Sequence, residues 1–190
     1  KKARFKAIQL ELSQLCNQYE NNVMDATDLW FLHVEDKTEL AGLPDFALAG
    51  AAQKAQDKKL TGHVLGIDLP CYINVLTHCS HRPTREKIYE AFCTRASNAG
   101  PHDDKHDNSN TLLTIVARRE EAAHLLGFNC FSEYSIANKM APSCDKVIAF
   151  LTDLATRSQS KARDELKHMQ AFAAKHDGLQ KLEPWDVTFY

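Results

Sequence analysis

Residues 108–127 spell out a complete helix in their own wording. Asn108 or Ser109 can cap it, because a short polar side chain accepts from the orphaned amides of a first turn. Leu112, Val116, Arg119, Ala123 and Leu126 then recur at helical spacing and predict one inward face. Gly127 follows the last apolar turn, where a residue free to take positive φ closes a helix C-terminus. Phe128 is placed to fold back onto Leu125 or Leu126. A sequence that marks both ends of one helix this sharply points to a fold built by packing helices.

The flanking sequence has the same period. Phe5, Ile8, Leu12, Leu15, Tyr19, Val23, Ala26 and Leu29 predict one long amphipathic helix over 2–30. No capping residue precedes it, so sequence upstream of Lys1 is expected. Residues 30–34 and 62–68 are short, aromatic and β-branched, and together predict one antiparallel ribbon that must lie on helices. Four helices open on proline: Pro44 before 45–59, Pro70 before 71–79, Pro83 before 84–97, and Pro142 with Ser143 before 144–176. In the last of these, Val147, Leu151, Leu154, Ser158, Ala162, Leu166, Met169 and Ala173 predict the inward stripe, while Lys161, Arg163, Asp164 and Glu165 face water. Glu183 and Pro184 begin a further helix that is read as unfinished at Tyr190. The only loop-like break is 98–107. The fold class is therefore mostly α: a bundle-like helical domain with at most one small antiparallel β-ribbon, read as a single segment over 1–190 that is truncated at both ends.

Composition narrows the function classes. Hydrophobic residues make up 44% of the chain and charged ones 25%, the balance of a globular protein with a real core. A formal charge of −2 gives no electrostatic footprint for nucleic acid or anionic lipid, so neither is an expected partner. No apolar run approaches the ~20 residues that span a bilayer. Cys16, Cys71, Cys79, Cys93, Cys130 and Cys144 stand singly, mostly within apolar helical faces, and read as reduced, buried thiols of a cytoplasmic protein; three disulfides are the alternative.

Chemistry-bearing residues are few. His102 and His106 bracket Asp103 and Asp104 after a Gly-Pro pair, a context that favours a loop of solvated charges over a shared metal, since zinc needs three or four converging ligands. His78 and His81 flank the end of a short helix, where a histidine can sit on the last carbonyls. Glu120 and Glu121 beside Arg118, Arg119 and His124 could form an acid/base cluster; intrahelical ion pairs on a solvated face are the expectation. Arg95 and Arg118 lie at apolar stripes, and each can either take a substrate carboxylate or clamp two helices, the second being favoured. No nucleophile elbow, glycine-rich phosphate loop, Cys-x-x-Cys pair or His-Glu-x-x-His motif occurs. Hence no catalytic, cofactor-binding or metal-ligating residue is assigned.

Several dispersed phrases do carry a resemblance. Asn-Gln-Tyr-Glu-Asn-Asn-Val-Met-Asp-Ala-Thr over 17–27, Glu-Leu-Ala-Gly-Leu-Pro over 39–44, Thr-Arg-Ala-Ser over 94–97, Asp107 with Asn108, Leu-Leu-Gly-Phe over 125–128, Asn-Lys-Met-Ala over 138–141 and Glu-Pro-Trp-Asp over 183–186 come in an order that resembles the thimet oligopeptidase family of zinc metallopeptidases. The likeness covers essentially all of the chain. It implies part of a larger, two-lobed, mostly helical peptidase with a deep channel, which hydrolyses short peptides with one zinc ion. In that family two histidines and a glutamate of a His-Glu-x-x-His helix, with a later glutamate, hold the metal and activate water.

None of those positions exists here, so no metal ligand or general base carries over to any residue. The matched phrases then read as framework: Asn108 a cap, Arg118 an inter-helix clamp, Gly127 a helix stop, Asn22 and Arg95 polar pins. The implied role is a cytoplasmic, non-catalytic piece upstream of the zinc helix. It would form channel wall, with short peptides and the remainder of the polypeptide as partners. A free-standing helical scaffold or protein-interaction module is the alternative.

Overall fold

The computed structural model describes residues 1–190. Seven helices and one two-stranded ribbon follow in the order α1 (Lys2–Leu29), β1 (Phe31–Val34), α2 (Asp45–Asp57), β2 (His63–Gly66), α3 (Leu69–His78), α4 (Arg82–Thr94), α5 (Ser109–Leu126), α6 (Phe131–Ile136) and α7 (Cys144–Asp177). Short 3₁₀ turns occupy Lys37–Leu40, Asp104–His106 and Pro184–Asp186. The mostly helical class and the single antiparallel ribbon are as the sequence predicts. No helix is long and apolar enough to cross a membrane. Two compact units form, one from Lys1–Asn21 with Asn108–Lys167, the other from Asn22–Asp107 with His168–Tyr190.

The second unit is built around the ribbon. Phe31 stands opposite Gly66, Leu32 opposite Leu65, His33 opposite Val64 and Val34 opposite His63. Val64 and Leu65 are neighbours in sequence and both are buried, so β2 is covered on both faces, as a ribbon this small requires. Val34, Leu40, Leu43, Ala51, Leu65, Ile67, Val75, Cys79, Ile88 and Ala91 make the core. A turn at Ala41 to Leu43 is sewn to the α3–α4 junction, where the Ser80 amide and hydroxyl donate to the Ala41 carbonyl at 2.8 and 3.0 Å. Gly42 takes φ +90° there, and a Cβ would collide with the His78 carbonyl oxygen.

Helix ends differ from the proline-based expectations by a few residues, for local reasons. Pro44 occupies the N-cap of α2 rather than its first turn. The end of α2 comes at Asp57, because Lys59 takes φ +58° and the Leu60 amide folds back to the Ala55 carbonyl. Asp68 caps α3 by accepting from the Cys71 amide at 3.1 Å, so the helix starts at Leu69, before Pro70. Arg95 is extended and Ala96 takes φ +54°, which stops α4 at Thr94 instead of Ser97.

In the first unit Ile8 of α1 and Thr111, Ile115, Ala122 and Ala123 of α5 are buried. This corrects the predicted face of α5, since Leu112, Val116 and Leu126 are 49%, 57% and 46% exposed. Leu112, Leu113, Ile115 and Val116 make α5 apolar around much of its girth, so spacing alone fits two registers. Charge decides between them: Arg118 and Glu121 share the 111–115–122 side and pair with α1. Gly127 closes α5 as expected, with φ +91° and the Phe128 amide donating to the Ala123 carbonyl at 3.0 Å. The Phe128 ring packs on Tyr134, centroids 5.5 Å apart.

The predicted stripe of α7 is also corrected. Ala173 is buried and Val147 and Met169 are half-buried, but residues 148–168 are exposed throughout, Leu151, Leu154 and Leu166 included.

Candidate functional site

His102 and His106 do not sit in a loop of solvated charges. His102 Nε2 lies 2.7 Å from the Ala91 carbonyl oxygen. A carbonyl can only accept, so that nitrogen carries the proton. The ring leans on Trp30 at 6.4 Å. His106 is buried in the 3₁₀ turn, with Nδ1 3.8 Å from the Asp25 carboxylate and Nε2 without a hydrogen-bond partner. Asp103, Asp104 and Lys105, between the two rings, face water. The two rings border a cavity of about 190 Å³ floored by Ala26, Leu29 and Trp30. Trp30 reaches this loop from α1's far end, a contact that local composition does not announce.

His81 stands at the N-cap of α4 and meets a side chain, not the carbonyls expected of it. Its Nδ1 is 2.8 Å from the Thr84 hydroxyl, which donates to the Glu39 carbonyl at 3.1 Å. His78 ends α3. No three or more His, Cys, Asp or Glu side chains are grouped so as to hold a metal ion.

The glutamates of α5 form a cross-helix ring with α1, not intrahelical pairs alone. Arg4 grips Glu121 with both Nε and Nη2 at 2.6 Å and reaches Glu11 at 2.9 Å. Arg118 donates to Glu11 at 2.5 Å and to Glu121 at 3.4 Å. Arg118 thus clamps two helices, as its position predicts. The Arg118 hydrogen bond, with Arg4, holds the Glu11 carboxyl below the usual range, and Arg4 does the same for Glu121. Carboxylates locked in this way have no proton to exchange at neutral pH. Glu120 pairs with His124 at 3.1 Å on the open side. Asn108 occupies the N-cap position of α5, but its side chain donates to the Tyr19 carbonyl at 3.0 Å rather than capping.

A second ionic centre escaped sequence reasoning. Arg85 and Asp186 are fully buried and meet at 2.8 Å, and Arg82 grips the same carboxylate with Nε and Nη2. Arg85 also donates to the Cys79, Ser80 and Trp185 carbonyls. The Glu183 amide donates to Asp186 at 3.0 Å, one half of a capping box. Burial pushes the Asp186 carboxyl up; the bonds from Arg82, the Glu183 amide and Arg85 outweigh it and leave it below the usual range. The one available signal was an aspartate two residues after a proline N-cap pair.

Arg95 is no inter-helix clamp. Its Nη1 donates to the Phe92 carbonyl of its own helix at 2.5 Å, and its guanidinium lies over the Phe92 ring at 3.8 Å. All six cysteines are free, but only Cys79 is fully buried and Cys93 is exposed. The expectation of uniformly buried thiols fails because α4 turns the Cys93 side away from the core. Burial raises the Cys71 and Cys79 thiols above their ordinary value, which keeps them protonated and unreactive.

Comparison with known proteins gives a consistent answer. The sequence profile of Peptidase family M3 matches residues 75–190. Oligopeptidase A of Escherichia coli K12 is 45% identical over 190 residues, covering 100% of this chain and 28% of that protein. A probable cytosolic oligopeptidase A of Arabidopsis thaliana is 32% identical over 202 residues, with 100% and 28% coverage. Dipeptidyl carboxypeptidase of E. coli K12 is 30% identical over 193 residues, with 100% and 27% coverage. The chain thus spans 28% or less of the length of these relatives.

Proposed function

Because the chain belongs to peptidase family M3, we propose that it is the framework portion of a cytoplasmic, zinc-dependent oligopeptidase that hydrolyses short peptides. In this reading both compact units belong to one non-catalytic segment. It contributes channel wall, and the zinc and its ligands lie elsewhere in a longer polypeptide.

The observation that carries the reading is the full-length match of this chain to just 28% of oligopeptidase A, together with a sequence that lacks the His-Glu-x-x-His motif. The donor chemistry agrees. Zinc takes three or four converging nitrogen, sulfur or carboxylate ligands, and no three His, Cys, Asp or Glu side chains are grouped here; His102 meets a carbonyl, His81 a hydroxyl and His106 one carboxylate. The residues present do not fit the metal, and no catalytic step runs through them.

The bare middle of α7 also supports the reading. Ile148, Leu151 and Leu154 recur on one side of the helix and are exposed. The remainder of the same polypeptide is the occupant proposed for it. Its other partners are short peptides; neither nucleic acid nor membrane is among them.

Zinc analysis and hydrolysis of a quenched-fluorescent peptide test the proposal on this chain and on a polypeptide of full family length containing it. One zinc and cleavage confined to the longer product are expected. Stoichiometric zinc and cleavage by residues 1–190 alone would overturn it.

A further inference from the structure

In the second unit, three elements close around a cleft of about 270 Å³. Val23 and Asp28 come from α1, Ile67 and Leu69 from the turn between β2 and α3, and Phe92 and Arg95 from the end of α4. Apolar groups make up most of the wall, and the two charged residues are of opposite sign.

Arg95 is held in place. Its guanidinium is stacked on Phe92 at 3.8 Å and tied by Nη1 to the Phe92 carbonyl. The backbone enforces the posture, since Arg95 is extended and the buried Ala96 takes φ +54°. That conformation is strained for a non-glycine residue, so the surrounding structure must hold it. Nε and Nη2 of Arg95 make no hydrogen bond to the protein, and neither Arg95 nor Asp28 joins an ion pair. A pre-oriented fork of unused donors beside an apolar wall is the chemistry that recognises a carboxylate attached to an apolar group. Asp28, on the same wall of the cleft, supplies a site for a cation on the same ligand.

We propose that this cleft binds a free apolar amino acid, its carboxylate on Arg95, its ammonium on Asp28 and its side chain against Val23, Ile67, Leu69 and Phe92. The volume suits a ligand this small, as it falls below the ~300 Å³ at which pockets for larger molecules begin. The inference stands independently of the peptidase reading. If both hold, the cleft is a place where a terminal product of peptide hydrolysis acts back on the framework.

Titrating L-leucine and L-phenylalanine into the isotope-labelled 190-residue chain, followed by amide chemical shifts, tests it. Saturable shifts at Arg95, Ile67 and Val23 are expected at millimolar concentration or below. Leucinamide, N-acetyl-leucine and glycine are the ligand controls, each lacking one recognised group. Loss of one charge-assisted contact weakens binding about tenfold or more, so leucinamide and N-acetyl-leucine should each fall by that factor, and glycine, lacking the apolar side chain, should bind more weakly than leucine. Arg95→Gln and Asp28→Asn should do the same, with amide spectra elsewhere unchanged to show that the fold persists. No saturable shift by about 10 mM, a concentration at which even millimolar binders are visible, overturns the proposal. So does N-acetyl-leucine or leucinamide binding as well as leucine, or Arg95→Gln binding as well as the parent chain.

Discussion

Arginine and carboxylate meet in two networks here, and water separates their consequences. Arg85 and Asp186 are 1% and 0% exposed, whereas Arg4, Glu11, Arg118 and Glu121 keep 35 to 40% of their side-chain surface. The hydrogen-bond geometry is similar in both, with bidentate grips and distances below 3 Å. In the buried network a charge left alone has no solvent to turn to. In the exposed ring, water takes over whatever is removed. The first therefore ties the three-residue turn at Pro184–Asp186 to the start of α4. The second selects which face of α5 meets α1.

The largest effect should come from Asp186→Ala. Removing one partner of a buried pair costs about 3–5 kcal/mol, since Arg85 keeps its charge among the Cys79, Ser80 and Trp185 carbonyls. Urea unfolding followed by circular dichroism reads this directly. Arg85→Met combined with Asp186→Leu should recover most of the loss, because an apolar pair of similar volume carries no stranded charge. A cost below about 1 kcal/mol for the single variant would place this pair among exposed ones and erase the distinction.

Two glycines extend the contrast to the backbone. Gly42 and Gly127 have nearly the same φ, +90° and +91°, but a Cβ at Gly42 meets the His78 carbonyl while one at Gly127 meets nothing within 4 Å. Gly127→Ala should cost about 1 kcal/mol, the intrinsic strain of a left-handed alanine. Gly42→Ala adds a backbone displacement to that strain and should cost about 2–3 kcal/mol. Equal losses would mean that the turn at Ala41 to Leu43 yields as freely as an open helix end.

How much of this was readable beforehand follows the same line between local and non-local causes. Gly127 and, to within a residue or two, the proline-led helix starts are set by neighbours in sequence, and each ribbon strand is marked by its own short aromatic and β-branched run. The face of α5 was misread because its leucines satisfy two registers, and the choice rests on Arg4 and Glu11, over a hundred residues away. His106 reads as solvated from its own loop, whereas it is buried beside Asp25 and shares a cavity wall with Trp30 and Ala26, far upstream. Arg85 and Asp186 are likewise 101 residues apart, and nothing in the sequence around either names the other. Arg95 was legible as a residue at an apolar stripe, but not its posture, which depends on Ala96 adopting a conformation that alanine ordinarily avoids.

The smallest expected effects belong to the exposed ring, and acid separates them from the buried pair. Glu11 and Glu121 are held below the ordinary carboxyl range by Arg118 and Arg4, so the unfolded chain, whose glutamates titrate near ~4.3, takes up protons first as pH falls. Their contribution is therefore complete above that value and drains away below it, as pH drops through the folded-state titration. Asp186 follows the same sign. Salt distinguishes the two networks, since ~1 M salt screens exposed charges within about 3 Å and reaches buried ones far less. As pH falls below about 4.3, the ordinary glutamate value, the loss of urea resistance should shrink in the Glu11→Gln, Glu121→Gln double variant and in high salt. The part owed to Asp186 should persist under both treatments. At pH 7 the double variant should lose less stability than Gly127→Ala. If high salt instead abolished the whole acid-dependent loss, Asp186 would be titrating through water, and its burial would not be the cause of its strength.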